Sequence, residues 1–518
     1  MGEGQMTDIA GNQSIRDLWT DCVRLRPNNV FLRYQDSAGN RAVYTYARFF
    51  GKINQTANML MDLGVKPGEC VAMQCDNCAE FIMVQFACAQ IDAIFVPLNA
   101  QQTLLESIYM IEKTQAKVMI TNRDFLEYYH GEGSYHMDTL IFLGDLHVPG
   151  ALNFCDEIAG YAKVLNEERL IDPLDTCEIL FTSGTTSDPK GVEITHANLV
   201  YGAYMGAWEF SLRSDDVFLT TMPVFHSNFQ LSALMPVLVA GAQLVLIQKY
   251  SARRFWVQVR DYAATVIQMV SMMVRTMMLQ PEDPCEREHY VREVQYYLPI
   301  SDQEKIDFEQ RFNVRLLNCY GSTESISWVL TDLPVGPRNW PSVGRPALGY
   351  EVKIVDEQGN TCPPGQVGEI LVHGQVGRTL MKGYYHDPEN TAAAISPDGW
   401  LSTGDKGYMD ESGWFYFVDR KSNMIKRAGE NISASEVENV LREIPQVAEA
   451  AVIGVPDPIR DQAVKAFIQL EEGCQITSDQ VVAFCESRLA TFKVPSIIVF
   501  VDEFPKTSVG KIAKKLLS

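Results

Sequence analysis

The chain reads as an α/β protein of more than one domain, and three observations predict it. Its 518 residues are too many for a single hydrophobic core. Over the first four hundred residues, short apolar strand patterns alternate with helical ones, which means βαβ units and largely parallel sheets. Past residue 420 the composition shifts, with Lys421, Lys426 and Arg427 clustered, and a separate α+β pattern begins. We therefore expect a large N-terminal domain at 1–420, built of βαβ sheets plus a small β-rich subdomain, followed by a small α+β C-terminal domain at 421–518.

In chain order, residues 44–46 are strand-like. Phe49, Phe50, Ile53, Ala57, Leu60 and Met61 then recur at helical spacing until Gly64. A turn at 66–69 leads into an apolar strand at 70–73, a helix near 77–90 and a strand at 93–97. Another helix starts around Leu104, and 117–121 is again a strand. Residues 178–181 end a buried strand, 192–195 form the next, and His196 opens a helix. Further buried strands fall at 217–220, 244–247 and 316–319. From Val352 short strands with turns at 357–360 and 363–365 mark the β-rich subdomain. Beyond residue 420, Ser433 and Glu436 make a capping box ahead of a helix. Strands at 450–455 and 463–470, a helix from about Asp479 and a strand at 497–501 complete the C-terminal pattern.

Composition narrows the function. A hydrophobic share of 46% and a charged share of 21% are ordinary for a globular protein. The net charge of −21 argues against nucleic acid or an anionic membrane as partner, so a phosphate-bearing ligand must be met by local positive charge. The most apolar long stretch, 81–98, is interrupted by Gln85, Gln90, Asp92 and Pro97, and reads as core rather than membrane. The first residues lack the basic and apolar regions of a secretion signal, and Met6 stands where N-myristoylation wants Ser or Thr. Twelve scattered cysteines are expected to be reduced. The CxxC pair Cys75 and Cys78 lacks the second pair of a zinc site and reads as buried thiols. The expected location is cytoplasmic.

The loop at 181–191, FTSGTTSDPKG, packs Thr182, Ser183, Thr185 and Thr186 around Gly184 and closes on Lys190. Between two strands, such a loop offers backbone N–H groups, hydroxyl donors and one ammonium, the groups that hold phosphate oxygens. It is not a Walker A loop, because Lys190 is followed by Gly191 and Val192 rather than by Ser or Thr and a helix. An ordinary solvated turn has the same composition.

Six motifs stand in one order: FTSGTTSDPKG, PVFHSNF, YGSTES, GYY with GWLSTGD, VDRKSNMIKRAGENI and PKTSVGK. That order resembles the adenylate-forming superfamily of acyl-CoA synthetases, adenylation domains and luciferases, over nearly the whole chain. Within it, YSARRFW, RTMMLQP and RDQAVKAF are similar to the crotonobetaine/carnitine–CoA ligases. The resemblance implies an ATP- and Mg²⁺-dependent ligase. It joins a carboxylic acid to AMP with release of pyrophosphate, then passes the acyl group to the thiol of coenzyme A. The small domain would act as a mobile lid.

The resemblance also implies roles for residues. Thr182, Ser183, Gly184, Thr185, Thr186 and Lys190 would hold the phosphates, and Glu324 the Mg²⁺. Tyr320, Gly321 and Thr323 would flank the nucleotide, Tyr320 lying against adenine. Asp405 would accept the ribose hydroxyls with Arg420 assisting. Lys511 would neutralise the charge at the α-phosphate, and His226 would flank the acyl pocket with Phe229, Tyr297 and Trp328. Lys426, Arg427 and Gly429 would meet coenzyme A.

Two departures stand out. Ser422 occupies the hinge position where the family commonly has Asp or Lys, and the adenine loop, usually small residues, reads YLPIS at 297–301. A betaine such as carnitine, crotonobetaine or γ-butyrobetaine is the implied acid. Another short-chain or aryl acid would suit the same pocket, and a freestanding adenylation enzyme loading a carrier thiol would share every motif. A non-catalytic nucleotide-binding protein would have no need of Lys511, Glu324 and Asp405 together. The sequence leaves monomer and homodimer equally open.

Overall fold

The structure, a computed structural model, describes residues 9–100, 104–122, 129, 137–145, 147–182, 189–297, 300–420, 424–427, 430–457, 461–489, 491–506 and 511–517. The chain divides into two compact units, 1–352 with 372–401, and 353–371 with 402–518.

The larger unit holds two sheets. In the nine-stranded sheet, Leu316–Gly321, Glu293–Tyr297, Val266–Val270, Val217–Thr220, Gln243–Ile247 and Val30–Gln35 run parallel. Antiparallel strands flank them, Trp328–Thr331 and Arg345–Pro346 on one side and Arg41–Thr45 on the other. In the eight-stranded sheet the parallel set is Thr176–Thr182, Ile94–Leu98, Cys70–Gln74, Val118–Asn122, Thr139–Leu143 and Leu152–Asn153. Here too one end turns antiparallel, with Lys190–Thr195 and Gly383–Tyr384. The two polar segments singled out in the sequence, 183–189 and 322–327, both follow the carboxyl end of a parallel strand at such a change of direction. Carboxyl ends of parallel strands are where ligands bind in open α/β sheets.

The core explains the alternation. Cys70–Gln74 and Ile94–Leu98 are buried at every residue, as parallel strands covered on both faces must be. The helices Ala79–Gln90 and His196–Glu209 are buried nearly all round, so their apolar residues form no single stripe. Trp19, on helix Ile15–Leu25, sits against Phe31, Phe49, Phe50 and Phe86 at ring separations of 5.0–6.1 Å and ties three helices to a strand. The predicted elements from residue 44 onward lie within a few residues of those observed. Helix Ile15–Leu25 was not read from the sequence, although Ser14 and Asp17 make a full capping box that signals its start.

The smaller unit contains most of a four-stranded sheet, Glu351–Val355, Gly368–His373, Trp400–Met409 and Phe415–Arg420. It also holds a five-stranded sheet built on the long hairpin Val447–Asp457 and Asp461–Leu470. Val437 and Leu441 from helix Ala434–Arg442 and Val481 from helix Ser478–Glu486 pack with Val452, Val464 and Ile468 of that hairpin. The helix expected after Ser433 is present, while the side chains of the expected capping box lie outside the described residues. Cys75 and Cys78 are free thiols with their sulfurs 3.7 Å apart; Cys75 is buried and Cys78 only partly so. Among the described residues, no helix is long and apolar enough to cross a membrane.

Candidate active site

Lys190 opens the strand Lys190–Thr195 and pairs with Thr182 in the hairpin register. Its ammonium donates to Asn390 Oδ1 at 2.7 Å and stands 5.0 Å from the centre of the Tyr384 ring. The Tyr384 hydroxyl donates to Glu324 Oε1 at 3.1 Å. Burial and, after it, the neighbouring Glu324 carboxylate push the Tyr384 phenol far above its ordinary range, so it remains a donor. Residues Ser183, Gly184, Thr185 and Thr186 lie outside the described residues.

The turn carrying Thr323 and Glu324 is held from several directions. Gly321 pairs with Trp328 across the fold-back, and a Cβ there would come within 2.5 Å of the Ser327 carbonyl oxygen, so only glycine allows this approach. Ser322 N–H donates to Ser325 Oγ at 2.9 Å, and Tyr350 OH donates to the Ser325 carbonyl at 2.5 Å. Ile326 adopts φ +65°, which a β-branched residue takes only when its surroundings impose it. Tyr320, half-buried, ends the strand just before this turn.

The segment 223–229 meets the same turn. Ser227 Oγ is 3.2 Å from Thr323 Oγ1. His226 is exposed and caps the short helix Ser227–Phe229, its Nδ1 accepting from Asn228 N–H at 3.3 Å. In the neutral ring the proton therefore sits on Nε2. Asn228 Nδ2 donates to Tyr297 OH at 2.6 Å, and Tyr297 stacks on Trp328 with centroids 5.0 Å apart and planes 29° from parallel. Gln268 donates to the Asn228 carbonyl at 2.7 Å while accepting from Thr220 Oγ1 at 2.8 Å. Among the described residues, Asn228 Oδ1 and Trp328 Nε1 are buried without a hydrogen-bond partner. Thus His226, Tyr297 and Trp328 are brought together through Asn228, and Thr323 joins them through Ser227, whereas Phe229 is wholly inside the core.

The remaining candidates belong to the smaller unit. Asp405 is buried and faces Arg420 in strand register, its N–H donating to Thr403 Oγ1 at 3.1 Å. Lys426 pairs with Asn431 and Arg427 with Glu430 in a hairpin; Arg427 is only 9% exposed. Lys511 is exposed and precedes Ile512, which bridges to Lys506. Ser422 and Gly429 lie outside the described residues.

The charged residues of the large unit suit a polyphosphate and its metal. Among the described residues no cluster of three metal-ligating side chains exists. A single carboxylate, Glu324, with one oxygen on Tyr384 and a second to give, fits a hard cation that takes its other ligands from phosphate and water. Tyr384, Asn390 and Asn228 carry no role in the sequence reading. GYY and PVFHSNF pointed to two of them as motif members, and Asp387-Pro388 signalled the helix start that places Asn390.

The AMP-binding enzyme family matches residues 19–385, and the AMP-binding enzyme C-terminal domain matches 436–511. Crotonobetaine/carnitine–CoA ligases of Salmonella heidelberg and Salmonella typhi are each 44% identical over 516 residues, covering 98% of this chain and 100% of theirs. An anthranilate CoA ligase in complex with anthranoyl-AMP superposes with a TM-score of 0.87 at 26% identity, covering 97% of this chain and 96% of its own. The o-succinylbenzoate CoA synthetase of Bacillus subtilis with ATP and magnesium gives 0.84 at 27% identity, covering 96% and 98%. Matched in both its domains and along nearly its whole length, the chain belongs to the AMP-binding, adenylate-forming enzymes.

Proposed function

We propose that this AMP-forming acid–CoA ligase takes a small betaine, such as carnitine, crotonobetaine or γ-butyrobetaine, as its acid. The carboxylate oxygen attacks the α-phosphorus of ATP, the bond to the bridging oxygen breaks, and pyrophosphate leaves. The thiol sulfur of coenzyme A then attacks the acyl carbon, its proton is lost, and AMP departs with the former carboxylate oxygen. Catalysis rests on positioning and on charge placed where charge develops.

In this reading Lys190 and the 182–186 loop hold the β- and γ-phosphates, and Glu324 carries Mg²⁺, which supplies charge neutralisation between phosphate oxygens. Tyr320, Gly321 and Thr323 line the nucleotide, and Asp405 and Arg420 take the ribose. Lys511 acts at the α-phosphate during the first half-reaction. Ser422 is the pivot on which 421–518 turns for the second, with Lys426, Arg427 and Gly429 toward coenzyme A. The work is done in the cytoplasm.

The observation that carries the choice of acid is the Tyr297–Trp328 stack, joined to His226 through Asn228. A quaternary ammonium cannot donate a hydrogen bond, so a protein holds it on aromatic faces. The 44% identity to crotonobetaine/carnitine–CoA ligases supports the same reading. A flat stack also suits an aryl acid, as in the anthranilate ligase neighbour, and that is the second reading. Pyrophosphate exchange with a panel of betaines, aryl acids and short-chain acids, run with and without coenzyme A, decides between them. Betaines must exceed their uncharged tert-butyl isosteres; equal exchange by both would sink the assignment. Thioester formation with free coenzyme A separates a ligase from a carrier-loading adenylation enzyme.

A further inference from the structure

The segment 381–391 touches the lysine strand and the glutamate turn at once. Met381 N–H donates to the Glu324 carbonyl at 2.9 Å, Lys382 N–H to Glu193 at 3.1 Å and Tyr385 N–H to Gly191 at 2.8 Å. The short strand Gly383–Tyr384 pairs with Glu193 and Val192, three and two residues past Lys190. From it the Tyr384 hydroxyl reaches Glu324 while its ring lies against the Lys190 ammonium. One turn on, Asp387 caps the helix Pro388–Ala394 by accepting from Asn390 N–H at 3.1 Å. The other Asp387 oxygen accepts from Asn390 Nδ2 at 2.8 Å, which fixes the Asn390 amide so that its carbonyl oxygen faces Lys190. Cation and carboxylate are thus each held by a neutral side chain of the same short segment.

We propose that Tyr384 and Asn390 are positioning residues for nucleotide binding: Tyr384 aims the Glu324 carboxylate at the metal, and Asn390 aims the Lys190 ammonium at the phosphates. This rests on the assignment of Lys190 and Glu324 given above. A carboxylate with one oxygen committed to Tyr384 presents the other in a fixed direction, and outer partners of this kind tune metal affinity. An ammonium has three donors, of which Asn390 takes one. The Tyr384 ring stabilises the same charge without using a donor. The lysine therefore keeps two donors for phosphate oxygens and need not be ordered from solvent when the nucleotide arrives.

The test uses the full chain and two binding titrations. ATP is titrated calorimetrically in EDTA, and Mn²⁺ is titrated by electron paramagnetic resonance in the presence of a non-hydrolysable ATP analogue. Tyr384→Phe deletes the hydroxyl and keeps the ring, so Mn²⁺ affinity is expected to fall about tenfold while ATP binding in EDTA is unchanged. Asn390→Ala is expected to do the reverse, weakening ATP in EDTA several-fold and leaving the metal step nearly alone. Lys190→Ala and Glu324→Gln report on the underlying assignment. If Glu324→Gln leaves Mn²⁺ affinity intact, that assignment fails and this proposal with it. If Glu324→Gln weakens the metal and Tyr384→Phe does not, the positioning role alone is overturned. Equal losses in both titrations for Tyr384→Phe, with a lowered thermal midpoint, would make it a merely structural residue and overturn the proposal as well.

Discussion

Two lysines in two motifs stand in different surroundings. Lys190 is half-buried, begins a strand paired on both edges, and has its ammonium on Asn390 and against Tyr384. Lys511 belongs to the other compact unit, is exposed, and precedes Ile512, which bridges to Lys506. The contrast fits the proposed roles, in which each charge is needed at a different time. A group that binds the ground-state nucleotide gains by being ordered beforehand, because less freedom is lost on binding. A group that acts only where charge develops in one of two half-reactions gains by being brought in for that step and taken away after it.

The largest expected effect breaks the comparison if it fails. Lys511→Ala is expected to slow adenylate formation by about 10²–10³-fold, the usual cost of one lost stabiliser of developing charge. Thioester formation from supplied acyl-adenylate should be nearly unchanged. Rapid-quench measurement of each half-reaction checks this, and equal loss in both would place Lys511 in the ground-state machinery alongside Lys190.

Trp328→Leu sharpens the large-unit side. Leucine keeps apolar bulk and removes the ring that stacks on Tyr297. An aromatic face desolvated against a quaternary ammonium contributes roughly 0.5–2 kcal/mol, so the KM for a betaine should rise about 2- to 30-fold. The KM for ATP should hold, since the pairing of Trp328 with Gly321 beside the Glu324 turn is made by backbone and Tyr384 and Asn390 are untouched. Equal rises for the betaine and its tert-butyl isostere would show that bulk, not charge, is read.

Much of this arrangement was legible from residues alone. Apolar runs such as CVAMQ and IFVPL mark parallel strands because burial on both faces leaves no polar alternation. FTSGTTSDPKG and YGSTES stand at the carboxyl ends of strands, as their polar turns after apolar runs predict. The bracing was not legible, because it joins residues far apart in the chain: Lys190 to Asn390, Glu324 to Tyr384, Asn228 to Tyr297. Nothing in a local pattern says which amide will face which ammonium. Arg427, expected among the residues that meet coenzyme A, is buried, because alternation in a hairpin turns every second side chain inward.

A stability measurement probes the strand beneath Lys190. Glu178, four residues before Thr182, is buried with Gln85 donating to its Oε2 at 3.3 Å, and burial raises its pKa from 4.5 to about 8. The folded state therefore holds a proton that the unfolded chain releases, so this contribution is full below pH 4.5 and is lost as pH rises toward 8. His196, lowered from 6.5 to about 4 by burial, works in the opposite direction only below pH 6.5. Between pH 6.5 and 8 the wild type should lose up to roughly 1.4 kcal/mol per pH unit through Glu178. Glu178→Gln, neutral and of the same shape, should remove that part of the slope in denaturant titrations at the two pH values, leaving the part carried by Glu209, which burial also raises well above its ordinary range. An unchanged slope would mean that Glu178 is ionised in the fold and that the hairpin under Lys190 tolerates a buried charge.

The smallest effect belongs to the small unit. Lys426 stands in a hairpin strand next to the buried Arg427, and its neighbours in sequence make this the most basic stretch of a chain with net charge −21. Coenzyme A carries phosphates, and a chain of that net charge repels them except where positive charge is concentrated. A single charge contact in water is worth about 0.2–1 kcal/mol, so Lys426→Glu, which adds repulsion to the loss, should raise the KM for coenzyme A by roughly 2- to 5-fold. The rise should shrink as salt is added, because the Debye length falls from about 10 Å at 0.1 M to about 3 Å at 1 M. The KM for ATP should not move, since the phosphates of ATP are assigned to Lys190. Arg427→Glu is the poorer experiment, because a buried carboxylate would destabilise the hairpin before it reported on any ligand. If Lys426→Glu raises both KM values together, the two units share one phosphate field and the division of labour between Lys190 and the small unit is wrong. If it raises neither, coenzyme A is met elsewhere.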